Sequence, residues 1–213
     1  MKIPTRNPLM VAALAVAALF ARDANAADPV PHDESVYGAK ALVSMACSKC
    51  HGYTGVSVSP LFPNLAAQQP SYIEWELQLF RQRARSDPHA RAFMWGIARA
   101  LDDEQIHGLA QYFSSQPAAK GAAPHDSALA AKGKAIYEHG VPEHDILACL
   151  PCHGPNAEGV NTFPRLAGQH RDYLAIQLRQ FTGQLRESEI MHRFTQNLTD
   201  DEIAAVSEYL SSK

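Results

Sequence analysis

Apolar residues recur at helical spacing along most of this chain, and the longest such stretch runs from Ser71 to Arg85. Tyr72, Trp75 and Leu79, with Ile73, Leu77 and Phe80, make a broad apolar face, and Ser71 with Glu74 has the form of a capping box. The spacing predicts a helix over 71–85. Shorter helices are predicted from Val36 to Met45 and again from Leu129 to Glu138, with Gly38 and Gly133 in matching places. A last helix closes each half, started by Asp102 with Gln105 and by Thr199 with Glu202. No stretch alternates with period two for long enough to make a strand, so the predicted class is all-α. A glycine inside a helix is useful where another helix must come close. With Tyr112-Phe113 and Tyr209 on the closing helices, the first and last helices of each half are expected to cross at Gly38 and Gly133.

The pattern is written twice. Pro63-Asn64-Leu65-Ala66-Ala67-Gln68 returns as Pro164-Arg165-Leu166-Ala167-Gly168-Gln169, and Tyr72, Leu77 and Phe80 return as Tyr173, Leu178 and Phe181, all 101 residues on. Met94, Ile97 and Leu101 match Met191, Phe194 and Leu198 at an offset of 97, so the first half carries four extra residues before its Met. Ser114 to Ser127, rich in Ser, Ala, Pro and Gly and without apolar periodicity, reads as a linker. The second half has an insertion from His139 to Asp145. Its two His and two acids could ligate a metal, but Gly140 and Pro142 mark a solvated turn.

The N-terminus has a different pattern. Lys2 and Arg6 precede an unbroken apolar run from Leu9 to Phe20, and Ala24-Asn25-Ala26 follows as a small-residue cleavage site. That run is shorter than the roughly 20 residues needed to span a bilayer, so it reads as a cleaved signal peptide. The predicted division is a signal peptide at 1–26, one domain at 27–114, a linker at 115–127 and a second domain at 128–213. Cleavage removes Lys2, Arg6, Arg22 and Asp23, which makes the formal net charge of −3 two units more negative. An acidic chain of this kind excludes nucleic acid as a partner. Each domain is about 90 residues, a size at which an apolar core is marginal without help. Arg81, Arg83, Arg85 and Arg91 form a basic cluster within this acidic chain, readable as a solvated helix face or as a patch that steers an acidic partner.

All four cysteines lie in Cys47-Ser48-Lys49-Cys50-His51 and Cys149-Leu150-Pro151-Cys152-His153, each followed by Gly. Cys-x-x-Cys-His is the attachment pattern for a c-type haem: two thiols placed for thioethers and an imidazole placed for the iron. Disulfides or a zinc site are the alternatives, but a four-cysteine zinc site places its Cys pairs much closer in sequence, and neither copy has the βαβ setting of a redox pair. Two covalently bound haem c groups are therefore expected. A buried porphyrin in each domain would supply much of its core, and attachment after export fits the signal peptide and a periplasmic location.

His51 and His153 are the expected proximal ligands, with Pro63 and Pro164 placed to offer a carbonyl to each Nδ1-H. Met94 and Met191 are the expected distal ligands, because each stands seven residues before a Leu that precedes a capped helix. His89, His107, His170 and His192 remain rival distal ligands, His192 the foremost because it adjoins Met191.

The paired domains, the Pro-x-Leu-Ala-x-Gln segments, the Gly-Gln-His-x-x-Tyr-Leu run at Gly168 to Leu174 and the Met-to-Leu spacing resemble the periplasmic di-haem cytochromes c of the cytochrome c4 type. The resemblance covers essentially all of the chain after residue 26. It implies two tandem class I cytochrome c domains meeting near the haem propionates, His/Met ligation of both irons, and electron transport through the respiratory chain toward a terminal oxidase. A quinol-oxidising complex or a dehydrogenase would be the donor, with peripheral membrane association left open. Alternatives are the cytochrome subunit of a periplasmic dehydrogenase, such as a sulfide-oxidising flavoprotein complex, and a di-haem peroxidase. The first half departs from the pattern at Ala67, where the second has Gly168, and in the longer Arg-rich stretch before Met94.

Overall fold

The computed structural model describes residues 34–213, which lie in a single unit; the predicted signal peptide lies outside the described residues. The first half runs α1 (Glu34–Leu42), a wide turn (Val43–Cys47), α2 (Ser48–His51), α3 (Pro70–Arg81), a second wide turn (Ala90–Met94), α4 (Trp95–Ala98) and α5 (Asp103–Ser114). The second runs α6 (Ser127–His139), a single tight turn (Pro142–His144), α7 (Leu150–His153), α8 (Arg171–Thr182), α9 (Glu189–Thr195) and α10 (Asp200–Ser211). The only strand-like pairings among the described residues are the isolated bridges Val141 to Ile146 and Val160 to Phe163, so the expected all-α class holds.

The same packing occurs twice. In the first half α1 and α3 both lie on α5, and in the second α6 and α8 both lie on α10. Ile106, Leu109, Tyr112 and Phe113 of α5 centre the first core, and Ala205, Val206, Tyr209 and Leu210 of α10 centre the second. The capping boxes expected at Asp102/Gln105 and Thr199/Glu202 are both formed.

Two local expectations are corrected. The helix predicted over 71–85 starts at Pro70 with Gln69 as its N-cap, so Ser71 is inside the first turn and makes no capping box; its hydroxyl donates to Asn161 O of the other half, 2.8 Å away. The helix also ends at Arg81, because Arg83 takes the left-handed conformation (φ 59°) and the Ala84 amide donates back to Leu79 O. The crossing glycines are not equivalent either. A Cβ on Gly133 would lie 1.9 Å from Ala205 O, so α6 and α10 do touch there, whereas Gly38 is exposed with nothing within 4 Å. In the first half the buried small residues of this helix pair are Ala39 of α1 and Gly108 and Ala110 of α5.

Residues 115–126 do not hang free as a tether. Ala122 N donates to Ser211 O, His125 N to Glu208 Oε1, and the Ala119 carbonyl lies across Gly168. This explains why the copies differ at Ala67 and Gly168. Both have positive φ, 55° and 72°, and their amides donate to the matching carbonyls of Phe113 and Leu210. Only at 168 would a Cβ run into the linker, 2.5 Å from Ala119 O. The insertion is a turn, with Asp145 left-handed and His144 paired to Glu202 at 3.0 Å. Among the described residues no three His, Cys, Asp or Glu side chains are grouped to hold a metal ion.

The halves meet through the repeated segments themselves, arranged reciprocally. Asn64 N donates to Gln169 Oε1 (2.8 Å) and Gln169 Nε2 to Asn64 O (2.9 Å); Arg165 N donates to Gln68 Oε1 (2.6 Å) and Gln68 Nε2 to Arg165 O (3.0 Å). One residue on, Gln69 Nε2 donates to Glu158 O and His170 Nε2 to Ser57 O, both at 3.0 Å. Behind this lies a buried cluster of matched residues. Glu76 accepts from Arg85 of its own half and Arg186 of the other, while Gln177 accepts from the same two guanidiniums. Asp87, fully buried, takes the Arg85 Nε-H at 2.7 Å, so two arginines face two carboxylates. Burial alone would raise the Glu76 pKa, but the guanidiniums of Arg186 and Arg85 overcome it and hold it at about 2.

Candidate haem sites

In each half a four-residue helix makes the local geometry. Cys47, Cys50 and His51, and likewise Cys149, Cys152 and His153, stand at i, i+3 and i+4, which places them on one helix face. The next residue must turn the chain away with positive φ, 74° at Gly52 and 86° at Gly154; a Cβ on Gly52 would lie 2.1 Å from Val56 O.

Both imidazoles are buried and oriented alike. His51 Nδ1 donates to Pro63 O at 2.9 Å and His153 Nδ1 to Pro164 O at 3.0 Å. The turns that present these carbonyls are tied back by paired amides: Leu65 and Ala66 donate to Gly55 O, and Leu166 and Ala167 to Ala157 O. Burial lowers both histidine pKa values, opposed in part by the proline carbonyls, so each ring is neutral with its proton on Nδ1 and its Nε2 lone pair available. Phe62 and Phe163 set an edge against His51 and His153, each with centroids 6.1 Å apart.

None of the four cysteines is joined in a disulfide, and all four are half-buried. Burial raises the Cys47 thiol, and raises Cys149, with a further push from Cys152, to about 11. Zinc demands thiolates, which the surroundings of Cys47 and Cys149 oppose, whereas neutral thioethers meet no such penalty.

Met94 ends the second wide turn, and Met191 lies in α9. Matched side chains begin both segments: Ala90 N donates to Asp87 Oδ1, and Met191 N to Ser188 Oγ. Met94 is half-buried against the core that also receives Cys47 and Leu65; Met191 is half-buried as well. The rival histidines have other partners. His107 pairs with Glu74 (2.8 Å), His170 reaches Ser57 O, and His89 accepts from Gln180 Nε2 (3.3 Å). His192 donates from Nδ1 to Phe181 O (2.8 Å) and accepts at Nε2 from Gln184 (2.6 Å), so both its ring nitrogens are engaged.

The basic cluster is broken up. Arg85 is buried between the halves, and Arg81 pairs with Asp103. Arg83 and Arg91 are exposed. Sequence reasoning missed the roles of Gln68, Gln69, Gln169 and His170 in joining the halves, although the repetition of Gln68 as Gln169 was a signal for the first pair.

The neutral imidazoles, the Cys47 and Cys149 thiols that burial keeps protonated, and the half-buried Met94 and Met191 thioethers fit a haem in each half. The profile of the family described as Cytochrome c matches residues 35–117 and again 130–213. The chain is 40% identical over 191 residues to cytochrome c4 of Thiocapsa roseopersicina, covering 87% of this chain and 95% of the relative. It is 35% identical over 204 residues to the thiosulfate dehydrogenase electron acceptor of Stutzerimonas stutzeri (strain A1501), covering 92% of this chain and 91% of that one. The solved structure of Acidithiobacillus ferrooxidans cytochrome c4 is similar with a TM-score of 0.75 and 38% identity, covering 78% of this chain and 98% of that one.

Proposed function

Since this chain belongs to the cytochrome c family, as a two-haem electron carrier of the cytochrome c4 type, we propose that it relays single electrons in the periplasm, passing them toward a terminal oxidase. Its cofactors are two covalently bound haem c groups. We assign Cys47 and Cys50 to one haem and Cys149 and Cys152 to the other, with His51/Met94 and His153/Met191 as axial pairs.

A haem so held supplies a one-electron couple, and the thioether opposite the imidazole favours the reduced state relative to two imidazoles. The chain does the rest. Pro63 and Pro164 fix each histidine as the tautomer with a free Nε2, and hold the ring in place. The reciprocal glutamine clasps hold the halves in one arrangement, so that the path between the two sites does not vary. With a histidine and a methionine holding each iron, neither would offer an open position to a substrate.

The carrying observation is the duplicated hydrogen bond from His Nδ1 to a proline carbonyl, which directs both Nε2 atoms to the same task. The test is the ferric Met-to-iron charge-transfer band of the holoprotein. Met94→Ala and Met191→Ala should each remove about half of it, and the double variant all of it; a band at full strength in the double variant would refute the axial assignment. The acceptor is tested by mixing reduced protein with membranes containing a terminal oxidase, where rapid reoxidation is expected.

A second reading is supported by the relative named a thiosulfate dehydrogenase electron acceptor. The protein would then receive its electrons from such a dehydrogenase, and its reduction on mixing with that enzyme and thiosulfate would favour this donor.

A further inference from the structure

Because the chain is one fold written twice, each half is a control for the other, and the halves differ in charge around the segments that carry Met94 and Met191. In the first half Arg83 lies over the Trp95 ring, 5.5 Å from its centroid. Arg91 and Arg99 stand one turn before and one turn after Trp95, on the face that Trp95 shares. All three arginines are exposed, and none has a carboxylate partner among the described residues. Residues 82–101 contain a single acid, Asp87, which is buried and spent on Arg85.

The matching positions of the second half are all uncharged. Gln184 stands for Arg83, His192 for Trp95 and Gln196 for Arg99, while Arg91 falls within the four extra residues of the first half and has no counterpart, and the cation over the indole is replaced by the 2.6 Å hydrogen bond from Gln184 to His192. The exposed charges between 183 and 198 are Glu187, Glu189 and Arg193, so the excess there is negative. A solvated helix face needs no such difference between two copies of one fold.

On the other side of the same segment, two residues before Trp95, Phe93 meets Phe62 edge to face, with centroids 5.2 Å apart and Phe93 about half exposed. Ile190, which replaces Phe93, forms no such aromatic pair. The first half therefore carries three exposed arginines around Trp95, a ring that packs on the same core as Cys47 and Met94.

We propose that this face of the first half is the docking surface for a redox partner presenting an acidic face, and that exchange with that partner passes through the first haem. The proposal rests on the two-haem carrier reading and adds to it the side and the chemistry of the partner. Arginines suit the task because their planar groups pair with carboxylates while remaining weakly hydrated. The second half repels the same partner, which gives the encounter a direction.

The test uses the holoprotein, reduced, and an aspartate-rich peptide carrying a ruthenium tris-bipyridine photo-oxidant. Flash-induced oxidation is measured for the wild type, for Arg83→Glu/Arg91→Glu/Arg99→Glu, and for a charge-matched control, Lys120→Glu/Lys132→Glu/Lys134→Glu, whose lysines are exposed elsewhere. At low salt the arginine variant should be slower than the control by about tenfold or more, and the rates should converge at high salt. Equal rates for the two variants at low salt would overturn the proposal. So would an arginine variant that stays slow at high salt, since the arginines would then act on the haem and not on docking. Failure of every protein, wild type included, to be oxidised at high salt would instead count against the carrier reading.

Discussion

Gln169 satisfies both main-chain polar groups of Asn64 in the opposite half, accepting from its amide at 2.8 Å and donating to its carbonyl at 2.9 Å. Asn64 directly follows Pro63, whose carbonyl orients His51. The side chain that joins the halves thus also steadies the turn that sets the histidine, and Gln68 does the same at Arg165, which follows Pro164.

Gln169→Ala should therefore cost more than an ordinary truncation. It leaves the buried Asn64 amide and carbonyl without partners, at about 1–3 kcal/mol each. Thermal unfolding of the holoprotein should shift down by several degrees. Gln68→Ala should behave alike, and a neutral result for both would show that water replaces the clasp.

Glu76 makes stability depend on acid. Its folded pKa of about 2 lies below the ordinary 4.5, so its contribution is complete above about pH 4.5 and is lost as pH falls toward 2. The shift corresponds to the order of 3 kcal/mol. Glu76→Gln should lower stability at pH 7, because two buried guanidiniums lose a counter-charge, and should flatten the acid limb of the stability curve. Denaturant unfolding at pH 7 and pH 3 measures both effects.

The helix crossings should respond in opposite directions to one substitution. Gly133→Ala drives a methyl to within 1.9 Å of Ala205 O and must separate α6 from α10, so a loss of at least about 2 kcal/mol is expected. Gly38→Ala meets nothing within 4 Å and should stabilise by about 0.5–1 kcal/mol through helix propensity. Comparison of the two melting temperatures decides the point.

Ala67 and Gly168 allow a similar exchange. Ala67→Gly relieves a left-handed alanine, for which a gain of up to about 1 kcal/mol is expected. Gly168→Ala puts a methyl 2.5 Å from Ala119 O and should both destabilise the protein and loosen the linker. Proteolysis within residues 115–126 should then become faster in Gly168→Ala alone.

What the sequence determined by itself was whatever depends on residues near one another in the chain. The Cys-x-x-Cys-His spacing places three side chains on one helical turn, the capping boxes at Asp102 and Thr199 close over three residues, and the duplication shows in the order of landmarks. The proline carbonyls were legible for the same reason, lying twelve and eleven residues from their histidines. The tertiary structure decided what lies about a hundred residues apart. Ser71 looks like a cap but donates to Asn161, Arg85 looks like surface charge but is shared by Glu76, Asp87 and Gln177, and Gly38 looks like a crossing point but faces solvent. Polar side chains carry no mark of their eventual partners: a glutamine in a repeat has the same local preferences whether it ends in water or across a domain boundary. Only the docking of one half on the other removes the water and makes each hydrogen bond obligatory.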